Sequence, residues 1–517
     1  MSNVQKLDCC FLVCGNSKKT YQELSKTYSA IEPPTWALLL AESTRVVGFN
    51  INIIDANAEN LSEEEIYIRI KKLSPKLICF VAYGQNVNAG TVNMTGVIHI
   101  ASYLADKNIN IPMSIVGSHV QALPVETLKK EIMIDFVFTN EAVYALRNIL
   151  KLDTFDSQNL SKINGIAYRH GDEIKMTPAE KIVPTEKMDI DLPGYAWDLL
   201  PFDKKPLDLY RAPMWHAEYD FEKRTPYASL QTSLGCMFNC NFCMINILNR
   251  NDNDEIGVAS NYSTMRFWST EFIIKEFDKL ISMGVKTIRI VDEMFLLNPK
   301  YYVPLCKELA KRNQDDSLRI WSYSRIDTVK RPEILKLVRK AGIKWLALGI
   351  ESADKSIRLE VAKGKFEDVD VKKVIERVHE ADIHVMANYI YGLPGDTVDT
   401  INKTLELSLE LCTAGWNTYG AMALPGSQLY KEAIDNGIKL PDSYEGYSFH
   451  SFETLPLPTE SLTAKEIITL RDEAFTKYHT YKPFLKLIEK KFGKIAADNI
   501  LQMTKIKLKR KIKGDQL

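Results

Sequence analysis

The chain has 517 residues, 45% of them hydrophobic, and 66 Lys and Arg balance 66 Asp and Glu, so its formal net charge is zero. That balance argues against nucleic acid as the main partner, since such binders carry a basic excess. No apolar run reaches the length of about 18 residues that a membrane span needs, and the N-terminus MSNVQKLDCCFLVCG lacks a signal-peptide core.

Length predicts about three domains. Nine unevenly spaced cysteines read as reduced thiols, which points to a cytoplasmic protein. Residues 1–150 are predicted to alternate strands (8–14, 49–55, 77–83, 113–117, 135–138) with helices (35–46, 63–73, 92–107, 125–131). This alternation predicts a doubly wound, Rossmann-like α/β domain with a parallel sheet. Ligands of such sheets bind beyond the carboxyl ends of the strands, here at 15–20, 84–91, 117–123 and 139–142. No G-x-G-x-x-G occurs, so a nicotinamide cofactor is not supported.

Residues 151–228 read as a linker. It holds a β-hairpin around His170-Gly171-Asp172 and then scattered prolines with large aromatics, a composition that suggests an extended segment pinned to a surface. Residues 229–430 offer strands at 229–233, 287–291, 319–324, 345–350, 384–391 and 418–424, each followed by a helical stretch, which predicts a partial, TIM-like (β/α)6 barrel. Residues 431–517 are mostly helical in pattern. The stretch 449–459 is expected to cap the barrel mouth, and the lysine-rich tail reads as a solvated end.

Chemistry concentrates after the first barrel strand, where Cys236, Cys240 and Cys243 stand in a C-x3-C-x2-C spacing. Thiolates are the ligands of iron–sulfur clusters, and a four-iron cubane ordinarily takes four, so three would leave one iron open. Zinc would want a second Cys or His pair, and none is nearby. The other strand ends carry Asp292 and Glu293, then Tyr323, Ser324 and Arg325, then Glu351 and Ser352, then the YGLPG run with Gly392 and Pro394. The ends of barrel strands are where such folds do their chemistry.

The cysteine loop, with Phe242 before its last cysteine, resembles that of the radical S-adenosylmethionine (SAM) superfamily. The resemblance implies a 4Fe–4S cluster on Cys236, Cys240 and Cys243, with SAM chelated to the open iron. It places Phe242, Asp292, Glu293, Tyr323, Ser324, Arg325, Glu351, Ser352, Gly392 and Pro394 around that SAM. Pro33-Pro34, GSHVQALP at 117–124 and FVFTNEA at 136–142 resemble the cobalamin-binding domain that precedes the barrel in one radical SAM class. That likeness implies cobalamin contacts from Gly84, Gln85, Asn86, Gly117, Ser118, His119 and Glu141. The D-x-H-x-x-G signature of other cobalamin proteins is absent, so no histidine of that motif lies below the cobalt.

Together these likenesses imply a radical SAM methyltransferase that forms a 5′-deoxyadenosyl radical and methylates an unactivated carbon of a small molecule, such as a secondary metabolite or glycan precursor. A flavodoxin or ferredoxin is the implied electron donor. The alternative keeps both cofactors in a cyclase or oxidoreductase without methyl transfer. A tRNA methylthiotransferase would need three further well-spaced cysteines, whereas Cys9, Cys10 and Cys14 crowd one strand.

Overall fold

A computed structural model describes residues 7–15, 17–84, 86–329, 331–362 and 368–517. Five apolar runs form parallel strands: β1 (Cys9–Val13), β2 (Ile51–Asp55), β3 (Leu77–Ala82), β4 (Met113–Gly117) and β5 (Phe136–Phe138). Every residue of β3, Leu-Ile-Cys-Phe-Val-Ala, is buried, as expected for a parallel strand covered by helices on both faces. Between them, helix Glu63–Leu73 starts at a capping box made by Ser62 and Glu65 and buries only Ile66 and Ile70 against the sheet.

The strand order is β2-β1-β3-β4-β5, continued by the antiparallel hairpin β6 (Ile166–His170) and β7 (Glu173–Met176) into seven strands. The hairpin is therefore part of the first sheet and not of a linker. β5 has only three residues, and β6 covers the edge that it would otherwise expose.

The barrel begins with β8 (Tyr227–Leu230). The predicted strand at 229–233 does not run on into the cysteine loop. The chain turns a corner, and β9 (Ser233–Cys236) pairs outside the barrel with β10 (Thr264–Phe267). Then β11 (Thr287–Ile290), β12 (Arg319–Arg325), β13 (Ile343–Glu351), β14 (His384–Tyr391) and β15 (Gly415–Gly420) line up in sequence order beside β8, all parallel. Among the described residues β8 and β15 do not pair, so the barrel is open on one side. Alternation sorts its side chains. Ile288, Ile290, Ile320, Leu346 and Leu348 are buried on one face, while Ser229, Arg289, Trp321, Tyr323 and Arg325 form the other.

The C-terminal part holds helices Ala464–His479, Lys482–Phe492 and Lys494–Lys505. The tail is folded, contrary to the expectation of a solvated end. Arg510 is fully buried and donates to Asp472 at 2.8 and 3.1 Å and to the Ser451 carbonyl at 3.0 Å. The turn Tyr444–Tyr447 reaches back to the first domain, where Tyr444 donates to Glu131 at 2.6 Å and Thr95 donates to Glu445 at 3.2 Å. No helix among the described residues is long and apolar enough to cross a membrane.

Candidate functional site

The cysteine loop springs from the end of β9. Gly235, just before Cys236, has φ of +84°, and a side-chain carbon there would strike the Thr264 carbonyl, so glycine alone lets β9 and β10 pair this closely. Asn246 closes the loop by accepting from the Cys236 N–H at 2.8 Å and donating to the Phe238 carbonyl at 3.4 Å. The Cys236 sulfur accepts from the Phe238 N–H at 3.4 Å. Burial pushes the Cys236 thiol up to about 11 and the Cys240 thiol to about 12. Cys243 is raised further, first by burial and then by the charges of Cys240, Glu293 and Cys236. Cys236 and Cys240 oppose the ionisation of Cys243, and a bound cationic centre would relieve all three, although among the described residues no three such side chains are gathered into a ready-made metal site. The Arg325 guanidinium lies 3.6 Å from the Phe238 ring centroid and favours the Cys240 thiolate.

The strand-end residues divide into two groups. Glu293 and Glu351 bear on the cysteines; burial raises Glu293 to about 8 and Glu351 to about 7. Glu351 sits at φ +66°, and its carboxylate fills the space that a side chain on Gly349 would take, so a strained residue is held over the barrel mouth by a neighbouring glycine. Arg325 bears on the cysteines as well, favouring the thiolates of Cys236 and Cys240, and the others are committed to the fold. Asp292 accepts from Thr232 N–H, Thr232 O–H and Ser233 O–H, all at 2.6 Å, and so pins the corner between β8 and β9. Ser324 faces Thr328 at 2.7 Å, and Ser352 is buried against Thr404 at 3.3 Å. Gly392 donates to Asp396 at 2.9 Å with its α-carbon packed against Ile467, and Pro394 is exposed. Phe242 packs with Ile357, Val361 and Leu393. Arg325 makes a bidentate pair with Asp327 at 2.7 and 2.5 Å.

In the first domain, Gln85 lies outside the described residues. Gly84 lines a narrow crevice between the two sheets, with Thr35, Trp36, Tyr83 and Val87 on its side and Gln231, Leu248, Val291 and Glu293 on the barrel side. Asn86 caps the turn after it by accepting from the Asn88 N–H at 2.9 Å. Gly117 lies so close to Ala82 that no side chain would fit, and Ser118 donates to the Val87 carbonyl at 2.9 Å. His119 lines another crevice, against the C-terminal segment. Its Nδ1 lies 3.1 Å from Thr91 Oγ1 and its ring meets Tyr444 edge-on at 5.1 Å. Burial lowers its pKa to about 3, so it is neutral. Glu141 turns away from the crevice too, accepting from the Val183 N–H at 2.5 Å and pairing with Arg266 at 2.7 Å.

Sequence reasoning missed the residues that join the halves here. Asn88 accepts from the Met244 N–H at 3.2 Å, one residue past the cysteine motif. Glu32, from the first domain, reaches the barrel, where it accepts from Tyr227 on β8 and pairs with Arg289 on β11. Glu32 and Arg289 are polar residues in apolar surroundings, but 257 positions separate them, so no local signal links them.

Residues 230–408 match the radical SAM superfamily and residues 24–150 match the B12 binding domain. The chain belongs to the cobalamin-dependent radical SAM family. Members of this family carry a 4Fe–4S cluster, SAM and cobalamin. The chain is 24% identical over 458 residues to the anaerobic magnesium-protoporphyrin IX monomethyl ester cyclase of Cereibacter sphaeroides, covering 84% of this chain and 65% of that protein. It is 24% identical over 436 residues to an uncharacterized methyltransferase of Pyrococcus horikoshii, covering 83% of this chain and 84% of that one. Its fold is similar to that of the radical SAM methyltransferase TsrM from Kitasatospora setae, solved with cobalamin and a 4Fe–4S cluster. The TM-score is 0.66 at 14% identity, over 97% of this chain and 99% of that one.

The residues present suit the cofactors of such a radical SAM enzyme. The three thiols offer the donor set of an open cluster. On the crevice wall of the first domain, Trp36 Nε1 is buried without a hydrogen-bond partner, a donor that a cofactor held beside Tyr83 and Gly84 would satisfy.

Proposed function

We propose that the protein is a C-methyltransferase that uses SAM to methylate an unactivated carbon of a small molecule. One observation carries this reading: a crevice separates the first domain from the barrel's strand ends, with Trp36, Tyr83 and Gly84 on one wall and Glu293, whose charge bears on Cys236 and Cys243, on the other. When bound, the cluster supplies an electron to SAM, and cobalamin carries the methyl group.

The chain's own residues do the rest. Cys236, Cys240 and Cys243 ligate the cluster. Asp292 holds the corner from which their loop departs. Glu293 and Glu351 meet the cationic groups of SAM; an ammonium beside them replaces the hydration that they lost and draws them to the carboxylate form. Leu248, Val291 and Trp36 keep water from the space between the cofactors. A small reduced carrier, a flavodoxin or ferredoxin, docks near Met237, which is 53% exposed beside Cys236. The cyclase relatives support a second reading, with both cofactors and no methyl transfer.

The test supplies anaerobically reconstituted enzyme with methyl-labelled SAM, a reductant and candidate substrates. Label is expected in product, alongside S-adenosylhomocysteine. Formation of 5′-deoxyadenosine with no S-adenosylhomocysteine would sink methylation and favour the second reading. Cys243→Ala is expected to lose the cluster's visible absorbance.

A further inference from the structure

The inner face of the barrel carries polar groups that the cofactors do not account for. Ser229 on β8 and Arg289 on β11 stand opposite each other in register. Ser229 Oγ and Arg289 Nε are buried without a hydrogen-bond partner, and so is Gln231 Oε1, two residues beyond Ser229. The other Arg289 nitrogens are engaged, Nη1 with Glu32 Oε1 and Nη2 with the Tyr323 hydroxyl at 2.7 Å. Tyr227 also donates to Glu32 Oε1, at 3.3 Å, so both contacts fall on one oxygen and leave Oε2. Buried polar atoms without partners are rare because they give up hydration for nothing. Three of them, on β8, on β11 and just past the end of β8 where Gln231 lines the crevice with Glu293, mark a place prepared for a polar guest. Aromatic rings wall it, with the Arg289 guanidinium 4.2 Å from the Trp321 ring centroid and 5.0 Å from that of Tyr323.

We infer that this chamber is the substrate pocket of the methyltransferase proposed above, a reading on which the inference rests, and that it takes a compact, polar, overall neutral molecule of the amino acid or carboxamide kind. A carbonyl or carboxylate oxygen accepts from Arg289 Nε–H. Ammonium or amide N–H groups donate to Gln231 Oε1 and Glu32 Oε2, and the Ser229 hydroxyl serves either. The charge of Arg289 is already balanced by Glu32, so a phosphate ester would bring negative charge beside Glu32 and Glu293 with nothing gained. A polycyclic hydrocarbon would leave every one of these polar atoms unpaired. Glu32 comes from the first domain, so that domain helps choose the substrate as well as holding cobalamin.

The experiment dialyses the cofactor-loaded enzyme with SAM against three pools: free amino acids and their amides, sugar phosphates with nucleotides, and solubilised sterols with triterpenoids. Mass spectrometry identifies what is retained. Retention from the first pool alone is expected. Ser229→Ala removes a hydroxyl that has no protein partner, so its melting temperature should hold while retention falls about 5- to 10-fold. Glu32→Gln, which keeps the Arg289 contact, should weaken retention as well. The inference is overturned if nothing from the first pool is retained, if a phosphate or triterpenoid binds instead, or if Ser229→Ala binds like the parent. A first-pool compound that binds but is never methylated would refute the activity and leave the pocket standing. Methylation of a compound from another pool would do the reverse.

Discussion

Asp55 ends β2 with its carboxylate buried, accepting from the Tyr210 hydroxyl at 2.8 Å and the Ala58 N–H at 3.0 Å. Burial still pushes its pKa up to about 6, because these bonds replace hydration incompletely. The folded chain thus keeps a proton that the unfolded chain has released, and stability falls as pH rises through this window. The favourable contribution is complete below about pH 4 and gone above about pH 6. Asp55→Asn escapes this loss, so its stability relative to the parent should improve between about pH 4 and 6 and then stay level. Urea unfolding across that range checks the slope, and a difference that does not change with pH would refute it. The cysteine motif was legible at this scale because its spacing is itself the chemistry. Asp292 and Glu293 were not separable, since adjacent residues on a strand end point opposite ways. One turned to the β8–β9 corner and the other to the barrel mouth.

The elements most at variance with the sequence reading are those that no periodic pattern marks. Regular β/α alternation made both sheets legible. The segment around 17–34 gave no comparable signal, yet it brings Glu32 to Tyr227 on β8 and Arg289 on β11, while Arg211 and Arg224 grip its backbone. Arg211 donates to the Ser29 carbonyl at 3.0 Å, and Arg224 donates to the carbonyls of Thr27 at 2.6 Å, Ser29 at 2.8 Å and Ala212 at 2.6 Å. Burial lowers the Arg224 pKa to about 10, with Arg211 adding repulsion. Both arginines come from the stretch read as a linker. That stretch is instead a clamp, and its specificity lies in backbone carbonyls, which have no sequence signature. Arg224→Met should cost about 3 kcal/mol by stranding these carbonyls. It should also speed tryptic cleavage after Lys26, which is exposed on the gripped segment. Unchanged cleavage would show that the clamp does not hold the segment.

One buried core joins both sheets of the molecule, so the chain is expected to unfold as a single cooperative body. A single apolar cluster runs from Phe11, Trp36 and Phe136 of the first sheet through Tyr195, Trp197 and Tyr210 to Ile288, Trp345 and Ile488. The buried pair of Glu141 and Arg266, 1% and 4% exposed, fastens the first sheet to the β9–β10 ribbon that launches the cysteine loop. Arg266 also donates to the Val183 carbonyl at 2.7 Å and to Asn249 at 2.8 Å. Such a pair stabilises little in itself, but removing one partner strands the other, which costs about 3–5 kcal/mol. Arg266→Met should therefore lower stability by about 3 kcal/mol or more, and adding Glu141→Met should recover part of the loss, because no lone buried charge remains. Scanning calorimetry should give one transition for the parent. In Arg266→Met it should separate into two, as the first domain unfolds without the barrel. Two transitions in the parent, or a double variant as damaged as the sum of the singles, would mean that the domains are fastened elsewhere. The cysteine loop would then keep its place without this pair.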